Sequence, residues 1–117
     1  MNYRNLEVYQ LAISFLPLAS KITERFPPGY ASFADQMRRA SLSVPLNIAE
    51  GSGKTKPGDQ RRFYAIARGS AMECGAVVDA CLALGFVDHD MGRDAIGALE
   101  SIVRILSKMC LPSRTHQ

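Results

Sequence analysis

The stretch "RRASLSVPLNIAEGSG", residues 38–53, decides the fold. Leu42, Val44, Leu46 and Ile48 alternate with polar residues or proline, the two-residue period of a half-buried strand. Met37, Ala40, Val44 and Ile48 instead recur at threes and fours, the period of a helix face. Pro45 weighs against the strand, because a central strand cannot spare the amide, and no neighbouring run supplies a partner strand. The segment over 32–50 is therefore read as a helix, closed by Gly51 at its C-terminus. Pro45 leaves the carbonyl of Ser41 without its helical donor and favours a bend.

Working outward, Asn5 can cap a first helix over about 5–26, whose apolar positions Val8, Leu11, Ala12, Phe15, Ala19, Ile22 and Phe26 form one stripe. Pro17 predicts a kink rather than an end, since the stripe resumes in register, and Pro27-Pro28-Gly29 stops the helix. After a short basic loop, Pro57 suits the first turn of a third helix over 57–84. Phe63, Ile66, Ser70, Cys74, Val77, Cys81 and Leu84 are its expected inner face. Gly85 ends it, and Asp88 or Asp90 caps a fourth helix over about 90–110 with Ile96, Leu99, Ile102, Val103, Leu106 and Met109 inside, closed by Pro112. Four amphipathic helices with short connections predict an all-α fold, an antiparallel up-down-up-down four-helix bundle spanning residues 1–117 as one domain.

In the second helix Arg39, Ser43, Asn47 and Glu50 fall at spacings of four, four and three, a polar stripe beside the apolar one. If the second and third helices form a hairpin turning between Gly51 and Pro57, facing residues have numbers that sum to about 108. That register predicts an Arg39–Glu73 ion pair and a second pair between Glu50 and Arg61 or Arg62. Ser70 completes the expected structural polar network.

The composition is that of an ordinary globular chain, 47% hydrophobic and 21% charged. One core suffices, because a chain of this length removes roughly 65% of its unfolded surface from water. No apolar run approaches the roughly 20 residues of a spanning helix, and no secretory signal pattern is present, so no membrane association is expected and the expected location is the cytoplasm. Cys74, Cys81 and Cys110 are odd in number and lack C-x-x-C spacing; they read as small core residues rather than disulfides or zinc ligands. The net charge of +3 is unevenly placed. From residue 38 to 68 there are seven basic residues (Arg38, Arg39, Lys54, Lys56, Arg61, Arg62, Arg68) against Glu50 and Asp59, a local +5 within a chain whose remainder is −2. Such a patch attracts polyanions.

Two signature blocks, "QMRRASLSVPLNIAEG" (36–51) and "RRFYAIARGSAMEC" (61–74), with "YRNLEVYQLA" and "RFPPGY" before them, resemble the four-helix bundle protein family, also called the 23S rRNA intervening-sequence protein family. That family includes the accessory variability proteins of diversity-generating retroelements. The matching elements are Arg38 to Ala40, Asn47 to Gly51, and Gly69, Ser70 and Glu73. The resemblance implies a bundle assembled as a ring-like homopentamer with a basic surface. Its retroelement members bind nucleic acid and a reverse transcriptase. Gly75, Pro17 and Pro57-Gly58 depart from the family pattern.

Catalysis has no motif to support it. Neither His89 nor His116 follows a glutamate at the spacing of a di-metal bundle site, and "GSGK" at 51–54 lacks the phosphate-loop spacing. No enzyme activity, cofactor or metal is expected. Two function classes remain. In one, Arg38, Lys54, Lys56, Arg61, Arg62 and Arg68 neutralise phosphates of RNA or DNA, with Phe63 expected in the core and Tyr64 beside the patch as a base-stacking candidate. In the other, the protein is an interaction scaffold without a nucleic-acid role. The extra apolar stripe through Leu42, Leu46 and Ala49 favours self-association in either case.

Overall fold

The computed structural model describes residues 2–112. Within them a short 3-10 turn, Asn2–Asn5, precedes four α-helices: α1 (Glu7–Thr23), α2 (Ala31–Ser52), α3 (Pro57–Leu84) and α4 (His89–Met109). All regular elements among these residues are helical. Each helix packs on the next, and α1 also packs on α4, so the four close into a bundle with extents of 50 × 26 × 21 Å. Hydrogen bonds and close approaches fix the directions. Ser43 meets Ser70, and Gln36 meets Glu73, so α2 and α3 run antiparallel. Arg68 meets Ser107 while Gly92 lies against Leu82, so α3 and α4 do too.

The residues around Pro45 are helical for a reason that side-chain placement makes visible. A strand would put Leu42, Val44, Leu46 and Ile48 on one face. Here Val44 and Ile48 are buried, whereas Leu42 is 48% and Leu46 59% exposed. Pro45 is itself fully buried on the core side. Its ring supplies packing surface at the position where the helix loses a hydrogen bond.

Several boundaries differ from the expectation. Asn5 does not cap α1; it ends the 3-10 turn, and the extended residue before α1 is Leu6, whose amide bonds to the carbonyl of Tyr3. Gln10 reaches back to the carbonyl of Arg4 at 2.9 Å, holding that turn against the helix. α1 ends at Thr23 rather than near 26, and Arg25 and Phe26 turn out through shorter bonds to Ile22 and Thr23. Pro27 disfavours helical geometry at the residue before it. Gly51 does not end α2 and has no positive φ; the helix continues to Ser52 and Gly53 caps it. A Cβ at Gly51 would lie 2.8 Å from Cε1 of Tyr64, so the glycine serves the close approach of α3 instead. Gly85 does take the left-handed conformation after α3, with φ 77°, and Asp88 caps α4 by accepting from the amide of Met91 at 2.8 Å.

The buried face of α3 is rotated from the expected one. Tyr64, Ala67, Ala71, Cys74, Val77, Val78 and Cys81 point inward, whereas Ile66 and Leu84 are exposed and Phe63 is half-buried. Small residues at 67 and 71 let α3 sit close to its neighbours, which sequence periodicity alone scored below the bulkier Phe63 and Ile66. At the opposite end of the bundle from the α2–α3 turn, Phe26, Tyr30, Phe33 and Phe86 form an aromatic cluster with centroids 4.9–6.5 Å apart. It ties the α1–α2 connection to the start of α2 and to the α3–α4 connection, each ring contact adding about 0.5–1.5 kcal/mol beyond burial. His116 lies outside the described residues.

Candidate nucleic-acid interface

The turn from α2 into α3 is short and internally bonded. The amide of Gly53 donates to the carbonyls of Ala49 and Glu50, and that of Lys54 to Gly51. From the first turn of α3, Gln60 donates its side-chain amide to the carbonyl of Lys54 at 2.8 Å. The backbone that carries the basic residues is thereby fixed, with Pro57 pre-set for the helix start.

Four of the six expected phosphate-binding cations gather there. Lys54 and Lys56 lie on the connection, and Arg61 and Arg62 on the first two turns of α3. The Lys54 ammonium lies 5.1 Å, and the Arg62 guanidinium 4.6 Å, from the ring centroid of Phe63. Phe63 therefore orients two cations instead of filling the core, and each such contact contributes about 0.5–1 kcal/mol at an exposed site. Tyr64 is the buried one of the pair. Burial raises its hydroxyl pKa, and it lies against Gly51 and Phe63, which leaves it unavailable to a base. The expected burial of these two aromatics is exchanged, because the rotated face of α3 turns residue 64 inward and residue 63 sideways.

The other two expected cations are elsewhere. Arg38 sits sixteen residues before Lys54, about 24 Å away along the helix axis, and pairs with Asp35 at 3.0 Å. Arg68 is half-buried and donates its Nε to the Ser107 hydroxyl at 2.6 Å, joining α3 to the end of α4. In their place the topology brings two exposed residues that sequence reasoning missed. Arg4 lies on the 3-10 turn packed against α1 and α2, and Lys108 lies in the last turn of α4. Chain order could not reveal them; only antiparallel packing puts both chain ends of the bundle beside the α2–α3 turn.

The polar network expected between α2 and α3 is present with different partners. The Ser43 and Ser70 hydroxyls are 2.8 Å apart, and the Asn47 amide donates at 2.9 Å to both the hydroxyl and the carbonyl of Ser43. Glu73 accepts from Gln36 at 2.8 Å instead of pairing with Arg39, although Arg39 lines the same cleft. Glu50 is held by Lys54 at 3.4 Å, one turn along the chain, instead of by Arg61 or Arg62. The facing pairs 36–73, 43–70 and 51–64 sum to 109, 113 and 115, a range that includes the expected 39–73 and 50–62 pairs at 112, so the change of partners lies in side-chain placement rather than in register. Glu50 and Glu73 are both exposed, so neither carries the penalty of an unpaired buried charge.

Cys74 and Cys81 are core thiols, as expected, whereas Cys110 is half-buried. Cys74 is buried and its thiol is pushed up to about 12, chiefly by burial and further by the neighbouring Glu73 charge; burial also raises Cys81. Among the described residues no three His, Cys, Asp or Glu side chains converge as metal ligands, and no helix is long and apolar enough to cross a membrane.

A family model described as 23S rRNA-intervening sequence protein matches residues 4–108. No curated protein matches the chain. Among solved structures, a protein of unknown function from the S23 ribosomal protein family of Bacteroides thetaiotaomicron superposes with a TM-score of 0.81 at 14% identity, covering 90% of this chain and 99% of that one. At that identity the likeness concerns the fold alone.

Proposed function

The chain belongs to the 23S rRNA-intervening sequence protein family, and from that premise we propose that it is a non-enzymatic, self-associating accessory protein that binds nucleic acid through the basic end of its bundle. The reading is carried by one observation: Lys54, Lys56, Arg61 and Arg62 converge on a rigid turn where Glu50 and Asp59 are the nearby acids. Arg4 and Lys108 extend the positive end. The interface has few base-reading side chains and many cations, so it fits phosphates rather than a base sequence.

Binding to fluorescent single-stranded RNA and duplex DNA across a salt series tests this. With three to four phosphates neutralised per chain, log K against log salt should fall with a slope of about −3 on duplex DNA. Arg61→Ala and Lys56→Ala should each reduce that slope by about 1 and weaken RNA and DNA of any sequence alike. Absence of binding at low salt, with the helical fold intact, would refute the reading and leave a protein-recruiting scaffold in its place.

A further inference from the structure

The groove between α2 and α3 changes character as it runs from the serine network toward the aromatic cluster. Its first part is a polar cleft lined by Arg39, Ser43 and Ser70. Its second part is an apolar cavity of about 190 Å³, walled by Phe26, Phe33 and Leu84 with Val77 and Cys81 behind them. Gln36 and Glu73 line both parts and mark where they meet. The Ser43 and Ser70 hydroxyls satisfy one another, and Gln36 donates to one Glu73 oxygen, Oε2. Two opposite charges are then left open in one cleft: the second Glu73 oxygen, and Arg39, which has no ion pair or hydrogen bond among the described residues. At the rim of the cavity Phe33 is 42% and Leu84 50% exposed, so apolar surface stands uncovered beside them.

We propose that this groove binds a free α-amino acid with an aromatic side chain. The ammonium donates to Glu73 at the junction, the carboxylate reaches Arg39 in the polar cleft, and the ring enters the apolar cavity. The size fits, since an apolar cavity of about 150 Å³ takes up benzene. Each charge of the ligand meets an opposite charge through a charge-assisted hydrogen bond, and the ring covers apolar surface at Phe33 and Leu84. Other ligands use only part of this arrangement. A phosphate or a simple carboxylate meets repulsion from Glu73, and the terminus of a peptide offers one of the two charges but not both. An aliphatic amine leaves Arg39 unpaired. Both charges face solvent, which weakens each contact and sets the expected dissociation constant at about 1 mM.

This site uses none of the residues of the basic turn, so it stands or falls apart from nucleic-acid binding. Titration of the full chain, labelled with nitrogen-15, with L-phenylalanine tests it by the shifts of amide resonances in NMR spectra. The amides of Gln36, Glu73 and Ala80 should move and saturate with a dissociation constant of about 1 mM. Phenethylamine, which lacks the carboxylate, and hydrocinnamate, which lacks the ammonium, should each bind about tenfold more weakly, and glycine should give no saturable shift. Arg39→Gln should weaken phenylalanine about tenfold yet leave phenethylamine unchanged, whereas Glu73→Gln should weaken both. Ala80 is an exposed residue of the cavity lining, so Ala80→Phe should block the cavity and abolish binding while circular dichroism stays that of the parent. Absence of a saturable shift up to about 20 mM phenylalanine would overturn the proposal. So would equal binding of phenylalanine, phenethylamine and hydrocinnamate, an Arg39→Gln effect shared by both amines, or undiminished binding to a folded Ala80→Phe variant.

Discussion

Replacing Gly51 with alanine separates two explanations of that glycine. Gly51 lies in the last turn of α2, where exchange for alanine gains at most the roughly 1 kcal/mol of a helix interior, so the substitution alone should stabilise α2 by up to that amount. The new Cβ, however, would stand 2.8 Å and 3.0 Å from two ring carbons of Tyr64 and 3.1 Å from the Cβ of Phe63. Tyr64 is buried between helices and cannot swing away without displacing its neighbours. Overpacking of this kind costs about 1–3 kcal/mol. The expected balance is a net loss of about 1 kcal/mol for Gly51→Ala, read from urea unfolding followed by circular dichroism. Tyr64→Ala should cost about 3–5 kcal/mol alone, as deletion of a buried aromatic does. On that background the two ring carbons are gone and only the Phe63 Cβ at 3.1 Å remains, so Gly51→Ala should become stabilising, by up to about 1 kcal/mol. The coupling between the two changes is therefore up to about 2 kcal/mol. Additive effects, or a wild-type background in which Gly51→Ala stabilises by its full propensity gain, would refute the close-approach reasoning. A glycine retained for a left-handed φ would have predicted loss on both backgrounds.

Other expectations follow from the same geometry. Ser43→Ala and Ser70→Ala should each cost about 1 kcal/mol in unfolding experiments, and the double variant should lose less than the sum, because both remove one shared hydroxyl contact. Arg68→Ala should lower stability by about 1–2 kcal/mol through loss of the Ser107 hydrogen bond yet leave the salt slope of nucleic-acid binding unchanged, the reverse of Arg61→Ala. The Cys74 thiol rises from 9.0 to about 12 on folding, so its neutral form favours the native state. That contribution is intact below pH 9, where neither state ionises, and is lost as pH climbs from there toward 12. Unfolding free energies measured across this range should fall less steeply in Cys74→Ala than in the parent.

The sequence on its own determined that the chain makes four helices, where α3 and α4 stop, and that α2 is a helix despite Pro45. Those features depend on residues near each other in the chain: a cap at Asp88, a proline at 57, a glycine at 85, and a repeat of threes and fours. Most of the basic turn was legible for the same reason, since Lys54, Lys56, Arg61 and Arg62 are neighbours in sequence. What the tertiary structure decided is how each helix is rotated and how far it slides along its partner. The small side chains of Ala67 and Ala71 gave α3 a closer fit than Phe63 and Ile66 allowed, and that rotation buried Tyr64 and put Phe63 under two cations. Side-chain placement along that interface then gave Glu73 to Gln36, while Glu50 stayed with Lys54 one turn along the chain. Arg68 was drawn to Ser107, and Arg4 and Lys108 were brought to the basic end. Periodicity reports that a helix has an inner face, but a shift of one residue turns it by about 100°, and only packing against three other helices selects among such nearly equivalent faces.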